Sequence, residues 1–265
     1  MSWFEALILG IVQGLTEFLP VSSSGHLVMM KELLGVEQTG SVAFEVVVHA
    51  ATVLSVIIVF RKDIRKLLSE FFKFKYNIET EYILKIVLSM IPVLIVGLFF
   101  KDFIASLFGE GLRLVGSMLL VTAILLTLTH FVKFKERHSI RYKDAFIIGL
   151  AQACAVLPGL SRSGSTIATG LLLGNRKEEI ARFSFLMVLI PILGEAFLEL
   201  IGGEFTLATS GIPTISLLIG FFAAFLSGLF ACKLMLRIVK NSKLVYFALY
   251  CAIAGLVAIG FSIFS

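Results

Sequence analysis

Residues Glu5-Ala6-Leu7-Ile8-Leu9-Gly10-Ile11-Val12-Gln13 return as Asp144-Ala145-Phe146-Ile147-Ile148-Gly149-Leu150-Ala151-Gln152. The offset of 139 (152 − 13) holds without a gap into Ser22-Ser23-Ser24-Gly25-His26 and Ser161-Arg162-Ser163-Gly164-Ser165. Ala6/Ala145, Ile8/Ile147, Gly10/Gly149, Gln13/Gln152, Ser22/Ser161, Ser24/Ser163 and Gly25/Gly164 are identical pairs. Each copy is a short apolar stretch that runs into a proline, Pro20 or Pro158, and then into hydroxyls and glycine. Two such polar loops in an apolar chain point to one site built from both halves.

Composition sets the solvent. The chain has 265 residues, 58% of them hydrophobic and 15% charged, with a mean hydropathy of +1.00. Soluble domains carry about 25% charged residues, so this chain is read as an integral membrane protein. Its net charge of +5 then belongs to cytoplasmic loops rather than to a nucleic-acid partner. Cys154, Cys232 and Cys251 lie in apolar stretches without metal or redox spacing and read as packing residues. The N-terminus lacks a basic segment, and Glu5 interrupts its apolar run, so a cleavable signal peptide is not expected.

A membrane helix needs about 20 apolar residues. Six stretches qualify: roughly 42–60, 84–100, 112–131, 183–202, 213–232 and 243–264. The repeated stretches, roughly 4–19 and 144–158, are too short. Each continues past its polar loop into a second apolar piece, Leu27–Leu34 and Ile167–Leu173. The fold class expected is therefore an all-α integral membrane protein. It has six transmembrane helices plus two re-entrant helix–loop–helix hairpins, 4–34 and 144–173. Such backbone survives at membrane depth only when buried in protein or lining a cavity. The single membrane domain, 1–265, divides into repeat 1 at about 1–131 and repeat 2 at about 140–265.

Basic residues set the orientation. Loops 61–83, 132–143 and 233–243 carry clusters of Lys and Arg, and should be cytoplasmic. Loop 203–212 has none and loop 101–111 only Lys101, so these should face outward. Three spans separate the hairpins, an odd number, so the second copy is inserted upside down. Inverted repeats with broken helices at a central site are also a transporter architecture.

The first loop carries the acid–base groups. Gln13 and Glu17, four apart, share one face of the first half-helix. A carboxylate there should face a cavity or a partner. Pro20 stops the helix. Ser22, Ser23, Ser24 and Gly25 offer hydroxyls and N–H groups at the start of the next half-helix, an anion site. His26 adds a titratable group. In the second loop Ser161, Ser163, Gly164, Ser165 and Thr166 repeat the scaffold, and Arg162 replaces Ser23 with a fixed positive charge. Arginine grips phosphate oxygens through paired hydrogen bonds. The set suits a phosphate ester or anhydride. Any one serine here is more simply explained by close helix packing. Glu17, His26 and Arg162 beside Ser-Gly turns argue the other way together.

Other polar residues read more blandly. Glu45 and His49 either line the same cavity or pair with each other, and pairing is preferred. Glu195 and Glu199 are a similar couple. Gly220, Ala224 and Gly228 form a small-residue stripe for helix packing, which would permit a homodimer.

The Gln13 to His26 run resembles the first signature of the bacterial undecaprenyl pyrophosphate phosphatases, also called bacitracin-resistance proteins. Pro158-Gly159-Leu160-Ser161-Arg162-Ser163-Gly164 is similar to their second signature. Length and span pattern agree over essentially the whole chain. The resemblance implies hydrolysis of undecaprenyl pyrophosphate to undecaprenyl phosphate and inorganic phosphate. It implies a divalent metal, Mg²⁺ or Ca²⁺, and a site open to the outer, periplasmic face of the bacterial plasma membrane. It also implies recycling of the peptidoglycan lipid carrier and bacitracin tolerance. Carried over residue by residue, Gln13 and Glu17 fill the acidic motif near metal and pyrophosphate, with Glu17 as a metal ligand. Arg162 binds phosphate. The nucleophile is Ser23, His26 or water. The alternative function is a transporter or flippase for undecaprenyl phosphate or another anion.

Overall fold

The computed structural model describes residues 1–36, 41–108, 111–132, 139–194, 211–241 and 244–264. Among these residues the elements are all α-helices. They are α1 (Trp3–Phe18), α2 (Ser23–Leu34), α3 (Ser41–Val59), α4 (Arg61–Phe71), α5 (Ile78–Phe99) and α6 (Lys101–Phe108). The second half holds α7 (Gly111–Phe131), α8 (Tyr142–Cys154), α9 (Arg162–Leu172), α10 (Lys177–Met187), α11 (Thr214–Asn241) and α12 (Val245–Phe264). Four of these, Ile78–Phe99, Gly111–Phe131, Thr214–Val239 and Val245–Ile263, are long and apolar enough to cross a membrane. A fifth span follows if α3 and α4, bent by 77° at their junction, are taken together. The outer faces are apolar at helical spacing: Leu218, Phe222, Leu226 and Phe230 on α11 are each about half exposed or more. In water such a surface would aggregate; against lipid it is the expected exterior, so the protein is a multi-pass membrane protein.

Both repeated stretches break ahead of their polar loops, α1 at Phe18 as expected and α8 already at Cys154, short of the expected 158. Leu19 is extended because it precedes Pro20, and the chain restarts as α2 one turn later. Ser22 caps α2 by accepting from the Gly25 amide at 3.2 Å. Ser161 caps α9 by accepting from the Gly164 amide at 3.0 Å. The two caps also share a 3.3 Å contact between hydroxyls, Ser22 to Ser24 and Ser161 to Ser163. The loops touch each other: the Ser163 hydroxyl donates to the Leu19 carbonyl at 2.9 Å.

Some boundaries differ from the sequence reading. Residues 61–83, expected as a loop, contain α4 and the first turns of α5. Ile64, Leu67, Leu68 and Phe71 recur at helical spacing beneath the charges, and Leu67 is buried. Helix α5 starts ahead of its apolar run because Asn77 caps it, accepting from the Thr80 amide at 2.8 Å. Lys85 is then neutralised by Glu81 at 2.6 Å. Residues 101–108, expected as part of a loop, form α6. Span 183–202 begins as α10 at Lys177, turns at Val188 and is helical again at 189–194; the rest, with Glu195 and Glu199, lies outside the described residues. Cys232 and Cys251 are buried, but Cys154 sits on the exposed side of α8 and packs nothing in.

Small residues set the closest helix approaches. The first helix of each hairpin packs on a long helix of the other half, α1 on α11 and α8 on α5. The paired glycines Gly10 and Gly149 sit at those crossings. A Cβ on Gly10 would lie 2.5 Å from the Gly220 carbonyl oxygen, and one on Gly149 2.4 Å from that of Ser89. The Gly220–Gly228 stripe is thus filled within the chain, by α1 on one side and by Phe44 and Ser55 of α3 on the other. Helix α7 packs on α12 through Gly116 and Gly255: a Cβ on either would come within 2.7 Å of the other's carbonyl oxygen. These two glycines are also 139 apart (255 − 116), so a position meets its own repeat at this contact. Gly116→Val should lower stability by about 1–3 kcal/mol through overpacking. Gly260→Ala, where a Cβ meets nothing within 4 Å, should be nearly silent. Thermal unfolding in detergent checks both.

Candidate active site

Glu17 is the hub. It sits on the last turn of α1 with its side chain 6% exposed. Gln13, one turn earlier, donates from Nε2 to Glu17 Oε2 at 2.9 Å. The break after α1 folds Ser23 back over the same carboxylate, and the Ser23 hydroxyl donates to Oε2 at 2.6 Å. Across the loop contact, the first residue of α9 brings a cation: Arg162 Nη1 lies 3.8 Å from Glu17 Oε1. From α3, His49 Nε2 lies 3.8 Å from Oε2. The carboxylate therefore has two hydroxyl or amide donors in contact and two cationic or basic groups just beyond hydrogen-bond reach.

A cleft opens beside this hub, lined by Glu17, Phe18, Arg162, Ser163, Ser184, Phe185 and Val188. Its floor is aromatic, with Phe18 and Phe185 edge to face at 5.8 Å. Arg162 Nη1 is buried without a hydrogen-bond partner. A buried guanidinium N–H left unmade is costly, and a phosphate oxygen is the acceptor that would satisfy it. Gln13 Oε1 is likewise buried and unpartnered.

The sequence-selected residues divide. Glu17, Arg162 and Ser163 line the cleft, and Gln13 and Ser23 bond the Glu17 carboxylate. Ser22, Ser24, Gly25, Ser161 and Gly164 build the helix starts that carry Ser23 and Arg162. Thr166 bonds the Ser184 hydroxyl at 2.6 Å, behind the cleft, while the buried Ser165 hydroxyl has no partner. His26 faces elsewhere: Nδ1 meets the Ser22 carbonyl at 2.7 Å and Nε2 the Tyr250 hydroxyl at 2.7 Å.

The expected pairing of Glu45 with His49 is not what forms. The Glu45 carboxylate pairs with the buried Lys31 ammonium, which reaches across from the last turn of α2. The i, i+4 spacing instead turns His49 toward Glu17, its Nδ1 held by the Glu45 carbonyl at 2.8 Å. Ser184 and Tyr250 were not selected. Each is a single polar residue in an apolar run, and nothing local in sequence marks it.

Fold and site together define a multi-pass helical membrane protein with a buried carboxylate, hydroxyl and guanidinium gathered where two loops meet. Comparison narrows this class: the chain belongs to the bacitracin resistance protein BacA family, whose model matches residues 6–257. It is 60% identical to the undecaprenyl-diphosphatase of Parabacteroides distasonis over 262 residues, 98% of each chain. It is 59% identical to that of Bacteroides fragilis over 263 residues, again 98% of each. To that of Christiangramia forsetii it is 51% identical over 264 residues, 99% of each.

Proposed function

We propose that this protein is an undecaprenyl-diphosphatase that hydrolyses undecaprenyl pyrophosphate to undecaprenyl phosphate and inorganic phosphate at the Glu17–Arg162 centre. Family membership and identity over nearly the full chain support the reaction. The observation that carries the site is the 2.6 Å hydrogen bond from Ser23 to Glu17, with the unpartnered Arg162 Nη1 facing the same carboxylate. Released carrier lipid re-enters peptidoglycan synthesis, and removal of the pyrophosphate form withdraws the target of bacitracin.

Arg162 and the amides at the start of α9 hold the terminal phosphoryl group. Ser23 Oγ attacks its phosphorus as Glu17 takes the hydroxyl proton. The new Oγ–P bond forms while the anhydride P–O bond breaks, and its electron pair leaves on undecaprenyl phosphate. Glu17 passes the Ser23 proton to the departing phosphate oxygen and so regains its carboxylate. It then deprotonates the water that attacks the phosphoserine. The Oγ–P bond breaks with its electron pair on Ser23 Oγ, and Oγ takes the proton back from Glu17 as inorganic phosphate leaves. Ser23 is preferred over His26 as nucleophile because both ring nitrogens of His26 are already engaged.

Among the described residues no three His, Cys, Asp or Glu side chains gather as a metal site. The oxygen donors still suit a hard cation: the Glu17 carboxylate, and the orphaned Gln13 Oε1 on the amide bonded to it. Such a pair would hold Mg²⁺ or Ca²⁺, with substrate phosphate oxygens and water completing the shell. When bound, the cation neutralises charge on the anhydride. Phosphate release from undecaprenyl pyrophosphate by purified protein in detergent should be lost on adding EDTA and return with Mg²⁺ or Ca²⁺. Undiminished release in EDTA would remove the metal from the scheme. Absence of any release by folded protein would overturn the phosphatase reading.

The architecture proposed has six spans and two re-entrant hairpins in inverted repeat, the site opening to the periplasmic face of the plasma membrane. Matched caps, the crossed packing of α1 and α8, and the Gly116–Gly255 contact support the repeat; loop charge supports the orientation. The same symmetry favours a second activity, flipping of undecaprenyl phosphate, which lipid movement across sealed liposomes tests.

A further inference from the structure

Ser22 is a strained residue. Its φ of 69° lies where a non-glycine side chain is disfavoured, at a cost other contacts must offset. Its counterpart Ser161, capping α9 in the same way, sits at an ordinary φ of −72°. The strain is thus not a requirement of the cap. The loops differ just before the cap, Pro20-Val21 against Gly159-Leu160, and again four positions after it, where His26 follows Ser22 but Ser165 follows Ser161.

His26 holds the Ser22 carbonyl through two contacts, one of them from a ring that Ser165 lacks. Its backbone amide donates to the Ser22 carbonyl at 3.2 Å, and its ring Nδ1 reaches the same oxygen at 2.7 Å. A carbonyl only accepts, so Nδ1 carries the ring proton and Nε2 is left as an acceptor. Tyr250 on α12 supplies the donor: its hydroxyl lies 2.7 Å from Nε2. The two rings stack, with centroids 5.6 Å apart and planes 10° from parallel. The Ser22 carbonyl is therefore clamped through a chain that ends on the last helix. Ser22 immediately precedes Ser23, whose hydroxyl that backbone turn delivers to Glu17.

We infer that Tyr250 is a positioning residue for the reaction, acting through His26 on the Ser22 backbone to hold the Ser23 hydroxyl against Glu17. This rests on the phosphatase reading above. It assigns His26 a mechanical role and gives the final helix a part in the site although it lines none of the cleft. Tyr250 touches neither Glu17 nor Arg162, so its effect should fall on turnover rather than on substrate binding.

The test is a double-mutant cycle on phosphate release, read as kcat and KM separately. Tyr250→Phe removes one hydroxyl and keeps the stacked ring. It should lower kcat about three- to tenfold, the worth of one hydrogen bond, and leave KM within about twofold. In a His26→Ala background the same substitution should change nothing further, because its path to Ser23 is gone. His26→Gln, able to donate to the carbonyl and accept from Tyr250, should recover part of the loss seen in His26→Ala. Thermal unfolding of each variant separates lost folding from lost turnover. Wild-type kcat in Tyr250→Phe, or full additivity with His26→Ala, would overturn the inference. So would well-folded His26 variants without any turnover, since that makes His26 itself catalytic. A wild-type protein that releases no phosphate would instead bring down the phosphatase reading, and this inference with it.

Discussion

Arg162→Ala is expected to cut phosphate release by about a thousandfold or more while the protein still inserts and unfolds cooperatively. Preorganised donors aimed at a developing oxyanion are worth about 10²–10³ each in a water-poor site, and arginines that stabilise a transferring phosphoryl group reach about 10³–10⁵. Among the described residues, Arg162 is the one cation whose guanidinium N–H is both buried and unpartnered beside the cleft. Arg162→Lys should recover little, because an ammonium is a point charge that cannot reproduce the two-pronged grip. Folding should survive because Arg162 stands 3.8 Å from Glu17, too far for its loss to break a hydrogen bond. Turnover within tenfold of wild type in Arg162→Ala would remove Arg162 from the phosphate site.

Ser23→Ala should be the second severe loss, also about a thousandfold or more, since removing a covalent nucleophile leaves only binding and electrostatic assistance. Ser24→Ala, whose hydroxyl makes only a 3.3 Å contact with Ser22, should stay within about tenfold. The contrast between neighbours matters more than either value. Rapid quench with labelled substrate adds a direct readout: a phosphoserine survives acid, whereas a phosphohistidine does not. Acid-labile label on the protein, or near-normal turnover in Ser23→Ala, would move the attack to His26 or to water.

Much of this was legible in the chain because it is local. A proline after an apolar run, a serine cap and a Gln–Glu pair one turn apart are written in consecutive residues, so the helix breaks and the Gln13–Glu17 pair follow from spacing. The return of Ser23 onto Glu17 across the break does not. Arg162 could be linked to Glu17 only through the repeat, which told that two loops share one site. Long-range partners were not legible. Lys31, reaching over from α2, takes Glu45 as its partner, and Tyr250 meets His26 across 224 residues. Neither leaves a periodic trace. The missed helix α4 is a different failure: its apolar residues do recur at helical spacing, but its dense charge reads as loop when stretches are judged by hydropathy.

The two loops share caps and glycines but not their reactive groups. Glu17 corresponds to Val156, and Arg162 to Ser23. Duplication of a loop that carried everything would have left two equivalent centres per chain. Here each copy holds only what the other lacks, so neither is competent alone and the two together make one. If the proposed centre is right, the stoichiometry is one lipid per polypeptide, and saturation within a single chain should be simple and hyperbolic.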